Sequence, residues 1–361
     1  GFKSMLYRET GQFKRNYAAD QQLFPIFQDK ILMAIILVVA IGIIPFAIND
    51  YWSKAILLPF LIYAMIALGL NILVGYCGQI SLGTGGFMAV GAYSSYKLCT
   101  AFPEMNLILV ILFSGGCTAA VGVLFGLPSL RIKGFYLAVA TLAAQFFLVW
   151  MFNKVPWFYN YDMSQITAPP REVFGVLVTG PQASPAAQYL FVLGFVAVLT
   201  WVALNLVRGR IGRSWMSIRD MDIAAELLGI RPLQTKLLAF AVSSFYVGIG
   251  GALIFHIWLG TVEVTEAFDI LQSFFVLFAI IIGGLGSVLG SFLGAAFMAL
   301  MPVGLKVLMV DGLGVVVDTA KHIEVMLVGS LIIFFLIKEP HGLARMWQIA
   351  KEKLRLWPFP Y

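Results

Sequence analysis

QYLFVLGFVAVLTWVALNLV (188–207), RGRIGRSWMSIRDMDIAAELLGIRPLQTK (208–236) and LLAFAVSSFYVGIGGALIFHIWL (237–259) run on from one another and decide how the chain folds. The two flanking runs hold no lysine, arginine, aspartate or glutamate. About 20 consecutive apolar residues are enough for a helix to cross the hydrocarbon of a bilayer. The segment between them carries six of the chain's basic residues and three acidic ones. A basic loop between two apolar spans is the signature of two membrane crossings joined on the cytoplasmic side.

The same alternation extends in both directions. The apolar runs predict ten spans, at about 31–48, 54–74, 82–101, 106–126, 134–153, 188–207, 237–259, 269–285, 288–309 and 323–337. The third is the least apolar, because Gly83, Gly85, Gly86 and Gly91 interrupt it, and a broken or partly re-entrant helix is one reading of it. Composition agrees: 60% of the 361 residues are hydrophobic, 12% are charged, and the mean hydropathy is +0.91. Soluble domains carry about 25% charged residues, so this chain is expected to be an all-α integral membrane protein in which helices satisfy the backbone internally.

Ten crossings put both ends of the chain on one side. Eighteen of the 24 lysines and arginines then fall in loops on that side, and Lys54, Lys97, Lys154, Arg171, Lys306 and Lys321 on the other. The positive-inside rule places the richer side in the cytoplasm. The expected organisation is a cytoplasmic segment over 1–30, a transmembrane domain over 31–337 and a cytoplasmic tail over 338–361. The first thirty residues do not read as a cleavable signal peptide. The net charge of +6 is a topology signal and does not point to nucleic acid. The longest external segment, 154–187, is rich in proline and aromatic residues, and reads either as an ordered cap or as an interfacial aromatic belt.

Within the basic loop, Arg213 to Leu228 has helical spacing, with Trp215, Ile218, Ile223 and Leu227 as its apolar positions and Asp220, Asp222 and Glu226 set among the cations. Gly229, followed by Arg231-Pro232, reads as its stop. A short amphipathic helix of this kind suits a groove on a partner protein; the other reading is a helix lying among lipid headgroups.

This loop resembles the coupling segment of ABC importer permeases, whose motif is an acidic residue, two alanines, three variable residues and a glycine. Ala224, Ala225 and Gly229 match it, and Ile223 stands in the acidic position. The variant is typical of the branched-chain amino-acid branch. Asn71–Tyr93 (NILVGYCGQISLGTGGFMAVGAY), Leu127–Thr141 (LPSLRIKGFYLAVAT), Ile282–Gly294 (IGGLGSVLGSFLG) and the ending IKEPHGLA resemble the same branch, on the side of its LivM-type subunit. The resemblance covers roughly residues 60–345. It implies a permease fold like that of the ribose and vitamin-B12 importers, a second and homologous permease subunit, two ATPase subunits that bind ATP and magnesium, and a periplasmic solute-binding protein. It implies that Arg213, Arg219, Asp220, Asp222, Ala224, Ala225, Glu226 and Gly229 belong to the ATPase-coupling loop. The implied solutes are branched-chain amino acids or related small amino-acid, carboxylate or amide molecules, and no cofactor is expected in this chain.

The glycine-rich segments have readings of their own. Gly286, Gly290 and Gly294 recur every four residues, the spacing of close helix packing in lipid. Asn71, Gly75, Gln79, Ser81 and Thr84 mix polar groups with glycine, which suits either a pathway-lining helix break or polar helix packing. No phosphate-binding G-x-x-x-x-G-K-[ST] occurs, so ATP hydrolysis is not expected here. Cys77, Cys99 and Cys117 and the three histidines show no metal-ligand spacing. Among the acidic residues only Asp269 and Glu324 approach a span, each near an end. A secondary transporter would place carboxylates at membrane depth, and remains the alternative; a membrane enzyme would need a cluster of titratable groups.

Overall fold

The computed structural model describes residues 27–131, 136–314, 316–338 and 341–356. Residues 1–26 of the expected segment 1–30, residues 339–340 and 357–361 of the expected tail 338–361, and Lys133 lie outside the described residues. Twelve helices carry the fold. They are α1 (Lys30–Ala47), α2 (Asp50–Tyr76), α3 (Thr84–Ala101), α4 (Leu107–Leu130), α5 (Tyr136–Lys154), α6 (Pro185–Arg208), α7 (Arg210–Leu227), α8 (Pro232–Leu259), α9 (Ile270–Gly283), α10 (Val288–Gly312), α11 (Val317–Lys338) and α12 (Gly342–Leu356). Among the described residues nine helices are long and apolar enough to cross a membrane, the seventh of them made of α9 and the turn Val264–Ala267 before it. The third expected span is an 18-residue helix, α3, whose composition falls short of that measure. It does not need lipid-facing apolarity, because its first ten residues and most of its length are buried in protein.

The chain's own chemistry sets the helix boundaries. Asn106, Ser184 and Ser287 cap α4, α6 and α10 through their side chains, and Pro185 and Pro232 occupy first-turn positions where no backbone donor is needed. The core is α2, α3 and α8, with 83% of the α2 span window buried and 72% of α8, against none of α1 and 11% of α11. Small residues let the central helices touch: Gly91 meets the backbone of Gly248, Gly251 meets that of Met88, and Gly69 lies on Tyr246. Leu58, Ile62, Met65, Tyr93, Phe240 and Phe255 fill the rest.

One end of the bundle carries a folded cap over 155–184. β1 (Ile166–Thr167) pairs antiparallel with β4 (Thr261–Val262), and β2 (Glu172–Val173) with β3 (Val176–Leu177) around Phe174 and Gly175, both at positive φ. Two positive φ values in a two-residue turn match the twist of a hairpin. Lys97 donates to Trp157 O (3.0 Å) and Asn160 Oδ1 (2.6 Å) and sits over the Trp157 ring. Arg171 donates to the carbonyls of Cys99 (2.7 Å), Met105 (3.1 Å) and Pro103. The cap is thus fixed to the exposed carbonyls at the end of α3, where a cation is favoured. The opposite end carries α7, the turn 284–287 and the start of α12.

α9 changes the expected geometry. The span read at 269–285 is a 14-residue helix, about 21 Å long at ~1.5 Å per residue, too short for the ~30 Å hydrocarbon core. The chain reaches its first residue through the turn Val264–Ala267 and a break at Phe268-Asp269.

Candidate coupling site

The basic loop folds into α7, but not as one amphipathic helix. Met221 has extended backbone (φ −156°, ψ 97°), which divides α7 into two pieces. The first is seated on the bundle: Trp215 is fully buried and donates from Nε1 to Thr235 O (3.1 Å), Ile218 is buried, and Gly212 lies against Val207. The second turns outward. Of the four apolar positions read from the sequence, Trp215 and Ile218 are inside, whereas Ile223 (64% exposed) and Leu227 (84%) stand out with Leu228 (82%) and Met221 (68%). Ala225 alone of this piece is buried.

Gly229 ends the second piece at φ +90°. Gly229 N donates to Glu226 O (3.1 Å) and Ile230 N to Ala225 O (3.1 Å). These two bonds form a Schellman cap, which requires a left-handed residue at this position. Pro232 then opens α8 one turn later.

Arg219 ties α7 to the rest of the molecule. Its Nη1 donates to Gly75 O (3.0 Å) in the last turn of α2, its Nε to Asp220 Oδ1 (3.1 Å), and Gly78 packs against its stem. Gly75 in turn lies against Gly286. Asn71, one turn earlier on α2 and fully buried, holds the same turn. It donates from Nδ2 to Gly284 O (3.1 Å), Ser287 O (2.9 Å) and Ser291 Oγ (2.9 Å), and accepts from Gly286 N (2.9 Å) at Oδ1. A continuous polar chain therefore runs from α7 through α2 to the turn between α9 and α10, where Gly284 also meets His341 at the head of α12.

The five residues read as pathway candidates separate. Asn71 and Gly75 belong to this junction. Gln79 lies on the non-helical stretch after α2, its backbone N donating to Leu73 O (3.0 Å) and its side-chain Nε2 to Cys77 O (3.4 Å). Ser81 and Thr84 are buried where α3 begins. Of the glycine stripe, Gly290 and Gly294 press α10 onto the backbones of Gly283 and Ala279 in α9, while Gly286 sits in the preceding turn at φ +74°. Arg213, Glu226 and Asp220 are exposed, and Asp222 and Ala224 partly so.

A second polar cluster escaped the sequence reading. Gln145 on α5 accepts from Gly86 N (2.5 Å) and Ser273 Oγ (3.0 Å) and donates to Phe268 O (2.9 Å); Ser273 accepts from Gly85 N (2.8 Å), and Thr141 from Leu82 N (2.9 Å). Side chains of α5 and α9 thus satisfy the amides that open α3 inside the bundle. A glutamine nine residues from either end of an apolar span was the available signal. Among the described residues no group of three His, Cys, Asp or Glu side chains could hold a metal.

Residues 54–336 match the family model described as branched-chain amino acid transport system / permease component. The chain is 30% identical over 339 residues to the high-affinity branched-chain amino acid transport system permease protein LivM of Salmonella typhimurium, covering 88% of this chain and 76% of that one. It is 29% identical over 313 residues to LivM of Escherichia coli, covering 79% and 68%. It is 22% identical over 306 residues to the fructose import permease protein FruG of Bifidobacterium longum, covering 80% and 85%. No solved structure matches the chain.

Proposed function

The chain belongs to the family of permease components of branched-chain amino acid transport systems, and on that premise we propose that it forms the translocation pathway of an ATP-driven importer for branched-chain amino acids or related small amino-acid, carboxylate or amide solutes. It works with a second, homologous permease subunit, two ATPase subunits that bind ATP and magnesium, and a periplasmic solute-binding protein. The α7 end faces the cytoplasm, and the cap faces the delivered solute.

The observation that carries this reading is the Arg219 junction. The outer piece of α7 offers Met221, Ile223, Leu227 and Leu228 to solvent beside acidic and basic residues, the surface of a segment built to enter a groove. The headgroup-bound alternative is less suited, because Asp222 and Glu226 would face anionic lipid. Motion imposed on that piece by an ATPase passes through Arg219 to the end of α2, and through Asn71 to the turn joining α9 and α10. The permease adds no chemistry; differential binding of the ATPase to two states shifts their populations.

Affinity purification of the chain in detergent from its native host, with mass identification of what accompanies it, tests the proposal. Two P-loop ATPases and a second permease are expected. A chain that purifies alone and moves solute in ATP-free liposomes overturns the importer in favour of secondary transport.

A further inference from the structure

Asp269 does not sit at the membrane surface. Two spans independently fix its depth. Gln145 is at the midpoint of α5 and donates to the carbonyl of Phe268, the residue before Asp269 (2.9 Å). Tyr63 is at the midpoint of α2, and its hydroxyl donates to Gln272 Oε1 (2.8 Å), one turn after Asp269. Gly85, in the first turn of α3, packs against the Asp269 backbone. The carboxylate therefore lies halfway across the bundle, where α3 begins and α9 is broken.

A charged side chain at that depth is costly and belongs to a site by default. Asp269 Oδ1 accepts from Gln272 N (3.3 Å), so the start of α9 stabilises the negative charge. No lysine, arginine or histidine nitrogen lies within 4.0 Å of it among the described residues, and its side chain is partly accessible. Thr84 Oγ1, at the opening turn of α3 beside it, is buried without a hydrogen-bond partner. A carboxylate held in place with no cation of its own, at a meeting of two helix breaks, is matched by a mobile ammonium. Helices interrupted at mid-membrane are where transporters hold the charged ends of their solutes.

We infer that Asp269 receives the α-ammonium group of the passing solute halfway across the membrane. The inference rests on the importer reading. It selects amine-bearing solutes, and separates this chain from a permease for an uncharged sugar.

Asp269 also caps a helix, and the test separates the two roles. Asparagine caps as well as aspartate does, so Asp269→Asn keeps the helix and removes the charge. In membrane vesicles holding the chain with its native partners, ATP-driven uptake of tritiated leucine, isoleucine and valine is measured. Asp269→Asn is expected to lower the uptake rate at least tenfold with the unfolding temperature in detergent unchanged, and Asp269→Glu to restore part of it. Wild-type uptake that Asp269→Asn leaves intact overturns the inference and spares the importer reading. Absence of ATP-driven uptake in the wild type overturns both. Uptake without ATP that follows an imposed proton gradient and vanishes in Asp269→Asn assigns the carboxylate to proton carriage, and overturns both as well.

Discussion

Asn71 shows how much of this fold hangs on single polar side chains. Its amide serves four partners on the turn 284–287 and the start of α10, all more than 200 residues away in sequence. Replacing Asn71 with leucine keeps the volume and removes every one of these bonds, taking the partner from the Gly286 amide and the Gly284 carbonyl, whereas the Ser287 carbonyl keeps its bond from Ser291 N. Each such loss costs about 1–3 kcal/mol. Asn71→Leu is expected to lower the unfolding temperature of the detergent-solubilised chain by several degrees, measured by thermal shift, whereas Asn71→Leu at wild-type stability would show the junction to be dispensable. The sequence marks Asn71 as unusual, since a polar residue in an apolar run needs a reason. It does not tell whether that reason is a solute or another helix, because the partners come from a contact between distant segments. Gln145 is the same case: its place in the middle of an apolar span marks it, but only the opening of α3 inside the bundle explains it.

At the scale of elements, what could be read was what local rules govern. Nine spans, the stop at Gly229 and the basic loop follow from hydropathy, turn chemistry and charge placement. Two features could not be read so. α3 is less apolar than its neighbours because protein replaces lipid around it, and α9 falls short of a full span because α3 begins against its first residues. The break at Met221 belongs here too, since periodicity alone predicts one continuous face for Trp215 through Leu227. That break separates an anchored piece from an exposed one, and the two are expected to respond differently to mutation. Leu227→Asp with Leu228→Asp alters only exposed side chains, and should leave insertion and unfolding temperature unchanged while abolishing co-purification of ATPase subunits. Gly229→Val instead forces a β-branched residue to φ +90°. A left-handed position costs a non-glycine residue about 1–2 kcal/mol, so this variant is expected to unwind the cap and uncouple ATP hydrolysis from uptake. Full ATPase recovery with the double aspartate variant would mean that the exposed apolar piece is not the docking surface.

At the scale of the whole molecule, the two ends differ in chemistry and in construction. The cap end is built from strand pairs and from cations that close backbone carbonyls, Lys97 on Trp157 and Arg171 on the end of α3. The α7 end is built from glycine contacts and one polar chain through Arg219 and Asn71. The sign of the charge asymmetry predicts the orientation, since basic loops resist translocation. In a chain whose three cysteines are replaced by alanine, Glu226→Cys on α7 and Tyr161→Cys on the cap are both exposed positions on opposite ends of the bundle. A membrane-impermeant maleimide is expected to label Tyr161→Cys in intact spheroplasts and Glu226→Cys only in inverted vesicles. The reverse pattern would place α7 outside the cell, beyond the reach of any cytoplasmic ATPase, and the coupling role of the Arg219 junction would fall with it.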